Sequence, residues 1–299
     1  MRGRSSIRNN LEYAATRFVL ATLAFPPRRC ADFLARGYAR LLDLAIPRLR
    51  RIARRNLSMA LRHLSEAERE AMIDGVFRSI ARLLMAFSRF PSINTENVSD
   101  WIRYEGFEYF EEARRKGKGV LFATAHLGNW ELSAFAHALM ARPMSVVVRP
   151  LDNPKVDALV TRYRCASGNR VIDKKNFARG ILKALAANEA VGILIDQNTS
   201  LAEGVFADYF GIPACTHPGF VRMAAHSGAA VIPGFAVWSE REGRYILRFY
   251  PPVEITGDEV ADTQRLQSSI EAAVREYADQ WLWIHRRWKT RPPGEPPLY

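Results

Sequence analysis

The pattern of apolar and polar positions changes character near residue 100. Before it the chain reads as helical. The stretch "CADFLARGYARLLDLAIPRLRRIARRNLSMAL" carries apolar residues at helical spacing, interleaved with arginines. "SEAEREAMIDGVFRSIARLLMAFSRF" opens with Ser65 and Glu68, which fit a capping box, and then lays Met72, Val76, Ile80, Leu83 and Leu84 along one face. From about residue 115 short apolar runs alternate with amphipathic ones. "GVLFAT", "MSVVVRP", "AVGILID", "AAVIPGFAV" and "YILRFYP" predict strands; "NPKVDALVTRYRCAS", "KNFARGILKALAAN" and "HPGFVRMAAHSG" predict helices. That alternation predicts an α/β fold, with a mixed, mostly parallel central sheet flanked by helices. "DTQRLQSSIEAAVREYADQWLWIHRRWK" predicts a closing helix with an aromatic and basic tail, and "RPPGEPPLY" a loose terminus. The expected division is a helical region over 1–100 and an α/β core over 101–299, joined as one continuous domain.

Charge adds to this picture. The 299 residues carry a formal net charge of +12. Such a surface attracts polyanions: nucleic acid, anionic lipid head groups or an acidic carrier protein. The apolar segment "LEYAATRFVLATLAF", Leu11 to Phe25, holds Glu12 and Arg17 and stops at Pro26 and Pro27. It falls short of the roughly 20 residues a spanning helix needs. It is expected to lie in a membrane interface, with an ordinary buried helix as the alternative. Arg48, Arg50, Arg51, Arg54 and Arg55 form a dense cluster beside it, which points to an anionic membrane surface. No recognised nucleic-acid motif is present, so a basic nucleic-acid-binding protein stands only as a different-class alternative resting on charge. Cys30, Cys165 and Cys215 show neither metal nor disulfide spacing, which fits the reducing cytosolic side.

Candidate chemistry gathers at strand ends. "VLFAT" leads into "AHLGNWE", placing His126 and Glu131 five positions apart. On one continuous helix they would point about 140° apart. Gly128 and Asn129 break the pattern, and Asn129 is a good N-cap, so His126 falls in a strand-to-helix turn and Glu131 in the first helical turn. The carboxylate is then expected to reach the imidazole, making His126 a general base for a hydroxyl. The plain alternative is a structural histidine in a turn, with a glutamate favoured by the helix dipole. Arg149 ends "SVVVRP", and Asp196, Gln197 and Asn198 follow "AVGILI". Turn chemistry explains each of these alone. Together they point to one pocket, since ligands bind at strand ends in open α/β sheets. No Gly-x-Ser-x-Gly elbow and no glycine-rich phosphate loop is present, so neither a covalent acyl-enzyme nor a metal or other cofactor is expected.

"HLGNWE", "VVVRPLDNPKVD", "ILIDQN", "GVFADYFGIPA" and "QWLWIHRRWKTRP" together resemble the lipid A late acyltransferases, within the lysophospholipid acyltransferase-like superfamily. The resemblance covers roughly residues 45 to 292. Those enzymes carry a histidine, four residues, then Asp or Glu, as glycerolipid acyltransferases also do. The resemblance implies transfer of a fatty acyl group from an acyl-carrier protein or acyl-CoA thioester to a hydroxyl of a membrane glycolipid, a lipid A precursor, at the cytoplasmic face of the inner membrane. The implied roles are His126 as base, Glu131 as its partner, Arg149 on a substrate phosphate, and Asp196 and Gln197 as substrate contacts. Alternative acceptors are a phosphatidylinositol mannoside, a lysophospholipid or an aminolipid, and a hydrolase releasing fatty acid to water is a further alternative. Trp281, Trp283, His285, Arg286, Arg287 and Trp288 match the family's terminal block, whose composition suits either a lipid interface or core packing. The family commonly has an N-terminal membrane helix; the shorter, charged Leu11–Phe25 segment departs from it.

Overall fold

The computed structural model describes residues 5–173 and 177–299. Four helices come first: α1 (Ser6–Ala24), α2 (Arg28–Ala45), α3 (Pro47–Ala60) and α4 (Glu66–Ser88). Pro47 sits in the first turn of α3, where its missing N–H costs nothing. Ser65 and Glu68 form the expected capping box of α4. The remaining chain alternates β1 (Ile102–Glu105), α5 (Phe107–Arg115), β2 (Val120–Thr124), α6 (Trp130–Met140), β3 (Ser145–Val148), α7 (Pro154–Cys165), β4 (Arg170–Asp173), α8 (Phe177–Ala186) and β5 (Ala190–Leu194). A hairpin follows, β6 (Val205–Tyr209) with β7 (Ile212–Thr216), then α9 (Gly219–Ser227), β8 (Ala230–Ser239), β9 (Arg244–Phe249) and α10 (Glu259–Glu276).

The main sheet has seven strands in the order β1-β9-β8-β2-β5-β3-β4, parallel throughout except for the β8–β9 pair. This is the mixed, mostly parallel sheet expected. β2, β5 and β3 are neighbours, so the three strand ends carrying His126, Asp196 and Arg149 share one edge of the sheet. Successive residues of β2 face opposite layers. Phe122 packs with Phe110 of α5, Leu132 and Phe135 of α6 and Leu159 of α7, whereas Leu121 and Ala123 pack with Ile181 of α8, Phe220 of α9 and Leu266 of α10. The apolar cluster that holds Ala35, Ala53, Leu57 and Ile73 of the first helices also holds Phe235, Trp281 and Trp283, so the helical part and the sheet share a core.

Four strands escaped the pattern. β1 and β4 are four-residue edge strands, too short for alternation to stand out. β6 and β7 pair as a separate ribbon around Phe210 and Gly211, both at positive φ, the geometry of a two-residue hairpin turn.

The C-terminal block resolves toward core packing. Trp281, Trp283, Arg287 and Trp288 are all fully buried. The Arg287 guanidinium donates to Cys215 O at 2.9 Å, Gln197 O at 3.2 Å, Thr216 Oγ1 at 2.5 Å and Gln267 Oε1 at 3.0 Å. Asn56 of α3 donates to Trp283 O at 2.6 Å and His285 O at 2.7 Å and accepts from the Tyr299 hydroxyl at 2.5 Å. The end of the chain is therefore tied to α3, where a loose terminus was expected.

The N-terminal helices leave an apolar face uncovered. Ile7, Leu11 and Phe18 of α1, Phe25 between the helices, and Phe33, Leu41 and Leu44 of α2 are all exposed. No helix among the described residues is long and apolar enough to cross a membrane. The arginine cluster divides. Arg50 turns inward onto Asp43, Glu70 and Asp74, and Arg54 pairs with Glu70, while Arg48 and Arg51 remain on the surface.

Candidate active site

β2 ends at Thr124, and the chain turns sharply into α6. Gly128 makes that turn possible: its φ is +63°, and a Cβ there would stand 2.0 Å from Ala236 O. The Gly128 N–H donates to Gln280 O at 3.0 Å and the Asn129 N–H to Ala236 O at 2.8 Å, so the turn is bolted to β8 and the C-terminal block. Asn129 caps α6, its Oδ1 accepting from Leu132 N at 2.9 Å. His126 is thereby held in the turn and Glu131 in the first helical turn, as the spacing predicts.

The partner of the imidazole is a different carboxylate from the one expected. Nδ1 of His126 lies 2.8 Å from Asp196 Oδ1, and the His126 backbone N–H donates to Asp196 Oδ2 at 2.8 Å. Trp281 Nε1 donates to the same Oδ2 at 2.9 Å. Glu131 instead faces Arg164 of α7, whose Nε donates to Glu131 Oε2 at 2.9 Å and whose Nη2 donates to Oε1 at 2.5 Å. The two-point fork of an arginine fits that carboxylate in both position and charge. Glu131 therefore makes its hydrogen bonds to Arg164, and Asp196 takes the place beside the imidazole. Asp196 is buried behind His126, which corrects its expected placement as a substrate contact. Gln197 is exposed, with its amide nitrogen 3.3 Å from His126 Nε2. Arg149 is exposed just past β3, two strands from β2 and so about 10 Å along the same edge.

Electrostatics follow from this arrangement. Burial disfavours the imidazolium of His126, but the charge and hydrogen bond of Asp196 outweigh it, with the charge of Glu131 adding, so its pKa lies above the ordinary 6.5. Burial likewise opposes ionisation of Asp196, yet His126 and Trp281 hold its carboxyl far below the usual carboxylate range. With Nδ1–H donated to Asp196, the Nε2 lone pair faces outward. Two other histidines stay neutral: burial lowers His137 to about 3, and lowers half-buried His285 to about 4 despite the charge of Asp196.

An apolar cavity opens beside the dyad, between the sheet and helices α6 and α7. Thr124, Leu194 and Val148 line it at the strand ends, Phe122, Gly192 and Val146 further in, and Phe135 and Met144 beyond. Glu131 and Arg164 belong to its wall. Sequence reading missed Arg164 and the cavity. Arg164 lies in the last turn of α7, thirty-three positions from Glu131, with no local signal to join them.

A family model described as bacterial lipid A biosynthesis acyltransferase matches residues 3–290. The chain belongs to that family. It is similar to a lipid A biosynthesis acyltransferase of Haemophilus influenzae, with 28% identity over 93% of this chain and 87% of the relative. It is also similar to two Escherichia coli proteins, a lipid A biosynthesis palmitoleoyltransferase and a lipid A biosynthesis lauroyltransferase. The first is 32% identical over 87% of this chain and 86% of the relative, the second 30% identical over 88% and 86%. This acyltransferase thus acts in lipid A biosynthesis, acylating a lipid A precursor.

If His126 acts as a base, its neutral form must carry the reaction. That form disappears as pH falls through its pKa. The raised pKa places the acid limb of the kcat/KM profile above pH 6.5. Asp196→Asn removes the group that raises it, so the limb should move to lower pH while the plateau drops by about 10²–10⁴-fold. An unshifted limb in a folded Asp196→Asn protein would sever the pair from the titration.

Proposed function

We propose that this acyltransferase moves an acyl chain directly from a thioester to a hydroxyl of a lipid A precursor, with His126 as general base. The observation that carries the reading is the His126–Asp196 pair beside an apolar cavity, with Trp130 of the cavity wall against the His126 ring. The acyl chain occupies the cavity, with its thioester carbonyl at the mouth. Nε2 of His126 accepts the acceptor's hydroxyl proton as that oxygen attacks the carbonyl carbon. The tetrahedral intermediate collapses, the C–S bond breaks, and the departing thiolate takes the proton from the imidazolium. The products are an ester and a free thiol, of an acyl-carrier protein or coenzyme A.

Asp196 holds the tautomer and balances the imidazolium when it forms. The backbone N–H groups of His126, Gly128 and Asn129 are already committed to Asp196, Gln280 and Ala236. Arg164, fixed by Glu131 in the cavity wall, supplies a cation for the developing oxyanion. Gln197 marks where the acceptor hydroxyl docks.

The acceptor comes from a membrane surface. The N-terminal half of α1 is fastened beside the β3 edge. Asn153 donates to Asn9 O at 3.0 Å and to Glu12 Oε2 at 2.8 Å. Lys155 Nζ donates to Asn10 at 2.6 Å. The exposed Ile7, Leu11 and Leu151 therefore border the rim that carries Arg149. An apolar face flanked by surface arginines suits an anionic bilayer, lying flat in the interface. At the cytoplasmic face, thioester donors are within reach.

His126→Ala, with its fold intact by circular dichroism, should lose about 10²–10⁴-fold in transfer. A variant with Cys30, Cys165 and Cys215 all changed to serine should keep the wild-type rate; an acyl group trapped on any of them would overturn direct transfer. Product analysis by mass spectrometry should show acylated lipid in excess of free fatty acid.

Arg149→Ala should weaken use of a phosphorylated acceptor more than that of its dephosphorylated counterpart, and Arg149→Lys should rescue only partly, lacking the planar fork. Equal losses on both acceptors would remove Arg149 from phosphate recognition.

Phe18→Asp with Phe33→Asp should release the protein from anionic vesicles, whereas raised salt alone should weaken binding only in part, because exposed charges screen over about 8 Å. Complete release by salt from the unaltered protein would exclude an apolar contribution.

A further inference from the structure

Strand register orders the residues of the cavity by depth. Thr124 of β2 pairs with Leu194 of β5, both at the mouth. One layer in, Phe122 pairs with Gly192, and Gly192 with Val146 of β3. Met144 lies two residues before Val146 and four before Val148. At about 3.3 Å per residue, its backbone stands ~13 Å below the strand ends, just before β3 and below the Phe122, Gly192 and Val146 layer.

Met144 is also held in place there. Its backbone N–H donates to Asn169 Oδ1 at 2.9 Å, and Asn169 Nδ2 donates to Ala134 O of α6 at 2.8 Å, which ties the start of β3 to the opposite wall. The Met144 side chain is buried, and its terminal methyl rests on Gly192: a Cβ at Gly192 would lie 2.8 Å from Met144 Cε. Gly192 sits in a regular central strand without a left-handed φ, so its backbone does not require glycine. What glycine supplies is room for the methionine methyl.

We propose that Met144, seated on Gly192, is the floor of the donor cavity and sets the upper length of acyl chain this enzyme accepts. The inference rests on the cavity holding the acyl chain, as proposed above. A chain reaching the floor fills the cavity; a longer one must displace Met144 or leave its thioester short of His126. In an apolar pocket one methylene too many or too few changes kcat/KM by about 10–200-fold. Neither residue touches the reacting atoms, so both are specificity determinants and not catalytic residues.

The test compares kcat/KM for decanoyl, lauroyl, myristoyl and palmitoyl thioesters in the wild-type protein and two variants, each checked for cooperative melting. The wild type should show an optimum length, with kcat/KM falling for chains longer than it. Met144→Ala opens the floor and should raise the palmitoyl-to-lauroyl ratio by about tenfold or more. Gly192→Ala pushes the methionine methyl into the cavity and should move the profile the other way, toward decanoyl. The opposed directions distinguish a floor from general damage, and Gly192→Ala keeps the test alive if Met144→Ala fails to fold. A length profile unchanged in the folded variants, or a wild type indifferent to length, overturns the floor while leaving acyl transfer standing. A wild type that transfers none of the four overturns the transfer reading, and the floor with it.

Discussion

One buried carboxylate organises the site. Asp196 accepts from the His126 backbone, from Trp281 and from the His126 ring, so a single side chain fixes the turn after β2, the C-terminal block and the imidazole together. Burying such a group without partners would be costly, and three donors offset much of that cost. Two of the three donors are structural. The dyad is therefore inseparable from the packing of Trp281, and the packing of Trp281 from the chain crossing that Arg287 and Asn56 secure around it. The tryptophan- and arginine-rich block serves the His126–Asp196 pair from inside the core, adding through Trp281 to the donors that keep Asp196 ionised and aimed.

The Glu131–Arg164 pair complements this. A glutamate in the first turn of α6 is favoured by the helix dipole, but a second carboxylate bonded to the same imidazole would add little that Asp196 does not already supply. Bound to Arg164, the glutamate instead spans α6 and α7 and fixes a cation in the cavity wall. The five-residue spacing therefore delivers two side chains to one mouth for different tasks: the histidine toward the outer edge of the sheet, the glutamate toward the cavity.

Much of this was legible in the chain, and what was hidden shares a cause. The strands around β2, the helices between them and the break at Gly128 and Asn129 follow from local periodicity and cap chemistry. The convergence of His126, Arg149 and Asp196 on one sheet edge also follows, because parallel strands joined by helices must put their C-terminal ends together. The partner of His126 was misassigned because proximity in sequence favoured Glu131. Asp196 is seventy positions away and is brought close only by the pairing of β2 with β5. The same holds for Arg164, for Asn56 beneath the C-terminal block and for the short edge strands: each depends on a long-range contact with no local signature. The inward turn of Arg50 toward Asp43, Glu70 and Asp74 was likewise invisible in a run of like charges.

The geometry also constrains how two very different substrates meet. The sheet edge has an inner side, where Phe122, Val146 and Met144 line an apolar space, and an outer side, where Gln197 and Arg149 face solvent. On the proposed reading, an acyl chain enters the first while a charged glycolipid head group remains at the second, so neither has to cross an environment hostile to it. His126 stands at the boundary, with Nδ1 turned to a buried carboxylate and Nε2 outward. Transfer of the proton to Nε2 creates a cation beside Asp196, whose attraction rises as the site loses water. Filling the cavity and covering the mouth with the acceptor would thus strengthen the interaction that stabilises the charged imidazole, making the base most effective when both substrates are in place.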